Sequence, residues 1–122
     1  MTQSLPSAFK NAGAGIVHAA VTGRNFKIEL GFAVAAVVLG LALGISTVEW
    51  AIVCICIGVV LGGECVNTAF EAVVDLVSPD YNELARIAKD CAAGAVLLES
   101  IASLFVAAFV YLPKMLALIG IL

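Results

Sequence analysis

The sequence predicts an all-α membrane protein, an N-terminal amphipathic surface helix followed by three transmembrane helices. Three observations carry that class. Hydrophobic residues make up 63% of the 122 and charged residues 12%, about half the charged share of an average soluble domain. Three stretches are apolar over close to the roughly twenty residues that a helix needs to cross a hydrocarbon core. The second of them also carries its polar residues on one helical face, as a buried helix with a functional side does. One domain over 1–122 is expected, with the surface helix at 5–28 and the spans at 30–48, 50–74 and 88–112.

From Leu5 to Lys27 the apolar residues Leu5, Ala8, Phe9, Ala12, Ile16, Ala19 and Ala20 recur at intervals of three and four, among the polar Lys10, Asn11 and Arg24. That spacing predicts a helix lying on the membrane surface, with His18 facing solvent. No apolar core precedes a small-residue cleavage site, so the spans themselves are expected to direct insertion. Leu30 to Val48 is free of charge and forms the first span. Ser46, Thr47 and Glu49 mark a turn, and Trp50 stands where an aromatic anchor belongs at the membrane boundary.

Trp50 to Phe70 carries one charge, Glu64, and its helical pattern runs on to Val77. At 100° per residue Glu64, Asn67, Glu71 and Asp75 fall at about 0°, 300°, 340° and 20°, a single narrow stripe. Cys65, Ala69, Ala72 and Leu76 occupy the opposite face. A carboxylate at bilayer depth costs roughly 2.5 to 3.5 kcal/mol on insertion scales, so the stripe marks a pathway or a reaction site. Ser78-Pro79-Asp80 is expected to stop this helix and cap the next. The segment from Asp80 to Gly94 alternates charges and belongs to water, and Cys91 to Pro113, with Glu99 as its one charge, is the third span. Its opening Ala92-Ala93-Gly94-Ala95 allows close helix contact.

Charge and cysteine usage exclude two classes. The net charge is −3 and no basic run exists, so nothing supports a nucleic-acid partner. Cys54, Cys56, Cys65 and Cys91 lie in apolar segments far from the lone His18, which argues for reduced packing residues and against a zinc site. Orientation follows from the basic residues. Lys10, Arg24, Lys27, Arg86 and Lys89 flank the spans on one side and Lys114 alone on the other, which places the N-terminus and the polar loop in the cytoplasm.

The chemistry open to the stripe depends on depth. Glu64 lies one heptad deeper than Glu71, about 10 Å at 1.5 Å per residue. A deep carboxylate suits a base for a lipid hydroxyl, while one nearer water stays ionised and can hold a cation that neutralises a polyphosphate. Asn67 lies between them and can bond to either. Lys89 and Asp90 approach from the cytoplasm, where a lysine can act as a point charge on phosphate. The plainer arrangement has Lys89 snorkelling to water and Glu71 and Asp75 paired with basic neighbours. No P-loop, kinase glycine-rich loop or dinucleotide fingerprint is present.

The segment ECVNTAFEAVVDLVSPDYNELARIAKDCAAGAVLL resembles the signature of the small prokaryotic diacylglycerol and undecaprenol kinases. Glu64, Asn67, Glu71, Asp75, Ala88, Lys89 and Asp90 fill the family's pattern, and Arg24-Asn25-Phe26-Lys27 and Thr47-Val48-Glu49-Trp50 extend the likeness to about half the chain. The resemblance implies an ATP-dependent lipid kinase of the bacterial cytoplasmic membrane, a homotrimer with active sites shared between neighbouring chains. In it Glu64 takes the lipid proton with Asn67 beside it, Glu71 binds Mg2+, and Tyr81, Asn82, Lys89 and Asp90 lie on the nucleotide side. Arg24, Asn25, Lys27 and Glu29 belong to the lipid side. The wording of the loop is closer to the Gram-positive undecaprenol kinases, with diacylglycerol as the alternative acceptor.

Three features depart from the family. Gly23 stands where a glutamate usually supplies a second metal ligand, and Glu29 replaces it poorly unless the helix breaks between them. Gly13 and Ala14 replace the usual tryptophan and basic residue of the surface helix, and Glu99 is an additional carboxylate without an assigned role. Two readings of other classes compete with the kinase. A proton-coupled transporter would use Glu64, Glu71 and Glu99 as a relay but has no use for Lys89-Asp90 at this spacing. A catalytically silent lipid-binding homologue would tolerate Gly23.

Overall fold

The computed structural model describes residues 3–121 as four helices, α1 (Leu5–Thr22), α2 (Arg24–Leu43), α3 (Thr47–Val77) and α4 (Glu83–Leu118), with no strand among the described residues. α2, α3 and α4 are each long and apolar enough to cross a membrane. α3 and α4 form the most extensively packed pair, an antiparallel hairpin against which α2 leans.

α1 opens with Pro6 in its first turn, where the missing N–H costs no helical bond. It buries only Ala19 and leaves Leu5, Phe9, Ile16, Val17 and Val21 uncovered by the rest of the chain. The helix expected over 5–28 ends at Thr22, because Gly23 is extended at φ −81° and ψ 115° and forms the whole joint between α1 and α2. A Cβ at Gly23 would lie 2.7 Å from the Ala19 carbonyl oxygen, so the joint is built for glycine. Arg24, Asn25 and Lys27 therefore ride on the first turn of the first long helix, with Phe26 buried beside them as its anchor.

The first span also ends earlier than its apolar run. Gly44 takes the left-handed conformation, φ 60°, and closes α2 through its N–H to the Gly40 carbonyl. α3 then starts on a capping box: the Glu49 N–H donates to Ser46 Oγ and the Ser46 N–H to the Glu49 carboxylate at 2.6 Å. Trp50, expected as a boundary anchor, fills a slot over Gly40, where a Cβ would come within 2.9 Å of the indole.

At the other end Ser78 closes α3 and caps nothing that follows. Its N–H returns to the Val74 carbonyl, and Asn82 is the residue that caps α4, its side-chain oxygen accepting from the Leu84 and Ala85 N–H groups at 2.9 and 3.2 Å. α4 begins in the charged segment and runs through Pro113, so it extends past both ends of the span expected at 88–112. Its 36 residues correspond to about 54 Å, well over the thickness of a hydrocarbon core.

The packed core lies at the end of the hairpin where α3 begins and α4 finishes. Ile45, Val53, Val110 and Tyr111 are buried there against Trp50, Ala36 and Val106. The Tyr111 hydroxyl donates to the Ala36 carbonyl at 2.8 Å, and Lys114 pairs with Glu49 at 3.3 Å. The four cysteines are free, as expected; Cys56 and Cys65 are half-buried, and Cys54 and Cys91 are exposed in the single chain.

Candidate active site

Among the described residues, the buried carboxyl and amide side chains lie in the half of the hairpin away from that core. Glu64, 4% exposed, and Asn67, 9% exposed, are the buried polar side chains among the described residues. Both belong to the stripe of α3, whose regular helix brings every third or fourth residue to one side. No lysine or arginine pairs with Glu64 among the described residues. Instead it lies within electrostatic reach of three other carboxyl groups, Glu29 on α2, Glu71 on α3 and Glu99 on α4.

The break at Gly23 explains how Glu29 joins them. α2 starts afresh at Arg24, which carries Glu29 onto the inner side of the bundle, and Ser100 of α4 donates a hydrogen bond to its carboxylate at 2.9 Å. Arg24, Asn25 and Lys27 remain exposed on the outer side of the same turns and hold no ion pair among the described residues.

Toward the C-terminal end of the stripe the polar groups link in sequence. Asn67 Nδ2 donates to Glu71 Oε1 at 3.3 Å, a long bond that leaves the exposed Glu71 carboxylate largely free. One turn further Asp75 pairs with Lys89 of α4 at 2.7 Å. The plainer arrangement of the lysine thus holds for Lys89 and Asp75 and fails for Glu71, which has no basic partner among the described residues. Asp90 is held by Arg86, whose guanidinium also grips Glu83, and the Tyr81 hydroxyl donates to Glu83 at 2.6 Å. Tyr81 and Asp90 are therefore joined through Glu83 and Arg86, Lys89 pairs separately with Asp75, and the Asn82 side chain is committed to capping. No group of three metal-ligating side chains meets among the described residues.

Two contributors were not legible beforehand. Ser100 carries no motif. Glu99 packs so closely over Gly63 that any Cβ there would overlap its carboxyl group. Its face was readable, since Ala88, Ala92, Ala95 and Glu99 follow one another at three- and four-residue steps, but the glycine opposite it was not.

A buried carboxyl aligned with an exposed one, flanked by a lysine on the neighbouring helix, can serve proton transfer at depth and anion binding near water. The family model of prokaryotic diacylglycerol kinase matches residues 10–111. The chain is 38% identical over 108 residues to the undecaprenol kinase of Bacillus subtilis, covering 88% of each protein. It is 43% identical over 112 residues to the diacylglycerol kinase of Synechocystis sp., covering 91% of this chain and 64% of that longer protein. A three-span helical bundle with this stripe and these relatives belongs to the prokaryotic diacylglycerol kinase family of lipid kinases.

Proposed function

We propose that the chain transfers the γ-phosphoryl group of ATP to the hydroxyl of a membrane lipid alcohol, undecaprenol in the first instance and diacylglycerol as the alternative. The observation that carries this reading is the pairing of a buried Glu64 with an exposed Glu71 along one face of α3. Undecaprenol is favoured by the wording of the loop and by a relative of that name that matches over nearly its whole length.

In this reading Glu64 accepts the proton of the lipid hydroxyl as its oxygen attacks the γ-phosphorus. The bond from that phosphorus to the β-bridging oxygen breaks, ADP leaves, and Glu64 later returns the proton to water. Asn67 orients the stripe through its bond to Glu71. Lys89 lies one salt bridge from the phosphate side and can exchange Asp75 for a phosphate oxygen.

Magnesium fits the donor set of the open end, which is hard carboxylate oxygen, and this ion is commonly held by one or two carboxylates with substrate phosphates completing its shell. Glu71 would hold it, and once bound it would neutralise the polyphosphate. Ser100 donates to one oxygen of the Glu29 carboxylate, and its other oxygen, carried inward by the break at Gly23, could supply the ligand that Gly23 lacks. The excess of basic residues on one side of the spans supports a cytoplasmic N-terminus and α3–α4 loop, in the bacterial cytoplasmic membrane. A homotrimer would cover the apolar surfaces that the single chain leaves open, such as those at Leu41, Leu98 and Phe109.

Radiolabelled phosphate transfer from ATP to undecaprenol and to diacylglycerol, in detergent with magnesium, tests the proposal and separates the two acceptors. Label in neither lipid would leave the transporter or the silent homologue in its place.

A further inference from the structure

Between α2, α3 and α4 lies a cavity of about 170 Å³ with largely apolar walls. Its lining runs from Glu29 to Ala36 on α2, from Leu61 back to Val53 on α3 and from Ser100 to Tyr111 on α4, so Glu29 and Ser100 stand at one end and Tyr111 at the other. On α3 Val53, Ile57, Val60 and Glu64 follow one another at steps of four, three and four. Glu64 therefore shares the helical face that walls the cavity and stands one turn beyond its upper end. Glu29, at that end, lies within electrostatic reach of Glu64. Phe32 and Leu104 belong to the lining and are also exposed on the outside of the single chain, which opens a way in from the hydrocarbon of the membrane.

Size and polarity restrict what fits. Apolar cavities of about 150 Å³ stay dry and take up a small hydrocarbon such as benzene, and a five-carbon isoprene unit is of that class. Donors are scarce in the lining. Ser100 gives its proton to Glu29, a carboxylate only accepts, and the Tyr111 hydroxyl is tied to the Ala36 carbonyl, which leaves the Ser103 hydroxyl. A lipid whose hydroxyl meets Glu64 brings its next atoms to the upper end of this cavity. In a polyprenol those atoms are hydrocarbon from the hydroxyl-bearing carbon onward. In a diacylglycerol they carry two ester groups, and burying a polar group without a partner is costly.

We propose that the cavity between α2, α3 and α4 binds the hydroxyl-bearing end of a prenyl chain, so that the protein selects polyprenols over acylglycerols. The proposal rests on the lipid-kinase reading for the position of the lipid hydroxyl at Glu64, but its test requires no turnover. Selection here acts against the ester groups: the prenyl end asks for no hydrogen bond inside the bundle, and the glycerolipid asks for more donors than the lining holds.

The full chain is unfolded thermally in detergent micelles without nucleotide, over a range of mole fractions of two probe lipids, cis,cis-farnesol and 1,2-dioctanoylglycerol. A ligand that binds the folded chain raises the midpoint according to its occupancy. Farnesol is expected to reach half-maximal stabilisation at about one-tenth the mole fraction of the glycerolipid, the effect of one ester carbonyl left without a donor. Ala33→Leu on α2 and Ala107→Leu on α4 each fill the cavity, and in either the farnesol advantage is expected to vanish while the glycerolipid behaves as before. Cys56 lines the cavity and Cys54 is exposed, so alkylation by N-ethylmaleimide reads the site in the unaltered chain should both variants fail to fold. At about ten times the mole fraction of half-maximal stabilisation, farnesol is expected to slow the reaction of Cys56 about tenfold, in step with occupancy, and to leave Cys54 unprotected. Equal behaviour of the two lipids in the unaltered chain would overturn the proposal, as would a farnesol advantage that survives filling, an equal weakening of both lipids by filling, or no protection of Cys56. Phosphate transfer from ATP to undecaprenol and to diacylglycerol, run on the same preparation, separates the fates of the two readings: transfer to either lipid without a farnesol advantage removes the subsite alone, and a farnesol advantage without transfer removes the kinase reading alone.

Discussion

The two halves of the α3–α4 hairpin are made from the same kind of helix and treat their polar groups in opposite ways. Where α3 begins and α4 finishes, the polar groups of Glu49, Lys114 and Tyr111 find their partners inside the chain. Glu49 takes both the Ser46 N–H and the Lys114 ammonium, the Tyr111 hydroxyl reaches the Ala36 carbonyl, and Trp50 closes over Gly40. Where α3 finishes and α4 begins, Glu64 has no basic partner among the described residues, Glu71 holds one long bond, and Asn67 and Glu99 each present an unpaired oxygen. A half that satisfies itself can only hold the bundle together. A half that does not leaves polar atoms open to a lipid, a nucleotide or an ion, and that is the physical sense in which the second half is the candidate site.

The sharpest way to break this comparison is at Glu64. If the open half is the reaction site, Glu64→Gln removes the proton acceptor without changing volume, and lipid phosphorylation is expected to fall by a factor of about 10³, within the range of general-base contributions. Binding of magnesium-ATP, followed by calorimetry on the purified variant, is expected to change less than threefold. Loss of nucleotide binding together with turnover would show Glu64 to be part of the nucleotide side instead.

Lys89 comes next. Its ammonium is shared between Asp75 and, in the proposed reaction, a phosphate oxygen. Lys89→Met is expected to lower kcat/KM for ATP by about 10- to 100-fold, the value of a charge-assisted hydrogen bond. Asp75→Asn leaves the lysine in place and frees it, so a change of less than about fivefold is expected. Equal losses in the two variants would mean that the salt bridge itself, and not the lysine's reach to phosphate, is what matters.

The closed half is expected to respond in stability and not in turnover. Tyr111→Phe deletes the hydroxyl that bonds the Ala36 carbonyl and should cost about 1 kcal/mol in detergent unfolding, with kcat unchanged within twofold. A drop in kcat at equal folded fraction would show the halves to be coupled, and the division drawn between them would fail.

How much of this was readable from the residues differs between the halves for the same reason. The stripe on α3 was legible because helical periodicity alone fixes which residues share a face, and Glu64, Asn67, Glu71 and Asp75 obey it. The spans were legible because hydropathy reports burial in lipid directly. Helix ends were not. The decisive residues at Gly23, Gly44 and Asn82 act through a single backbone conformation or a single side-chain bond, and apolar runs pass over them without a mark. That is how residues 24–28 were assigned to the surface helix and how Ser78 took the place of Asn82 as a cap. The same joint revises the role of Gly23. Placing a glutamate there would bring its Cβ against the Ala19 carbonyl oxygen, so the substitution disturbs the α1–α2 joint before it can offer a carboxylate to a metal. Pairs between helices, such as Gly63 with Glu99 or Ser100 with Glu29, depend on register across the bundle and leave no periodic signal in either helix alone.

The smallest expected effect tests whether the closed half depends on charge at all. Glu49 and Lys114 are 3.3 Å apart and only partly exposed, and ion pairs of this kind are worth about 0 to 1 kcal/mol. The capping box gives Glu49 a second task, since its carboxylate also accepts the Ser46 N–H that opens α3. Lys114→Met removes the ion pair and keeps the cap, and is expected to lower the unfolding midpoint by less than Glu49→Ala, which removes both. A Glu49→Gln variant keeps an acceptor for the Ser46 N–H without the charge, and should fall with Lys114→Met. If Glu49→Gln instead matches Glu49→Ala, the charge is what holds this end, and raising the salt concentration, which screens a partly exposed pair, should then weaken the unaltered protein to the same level.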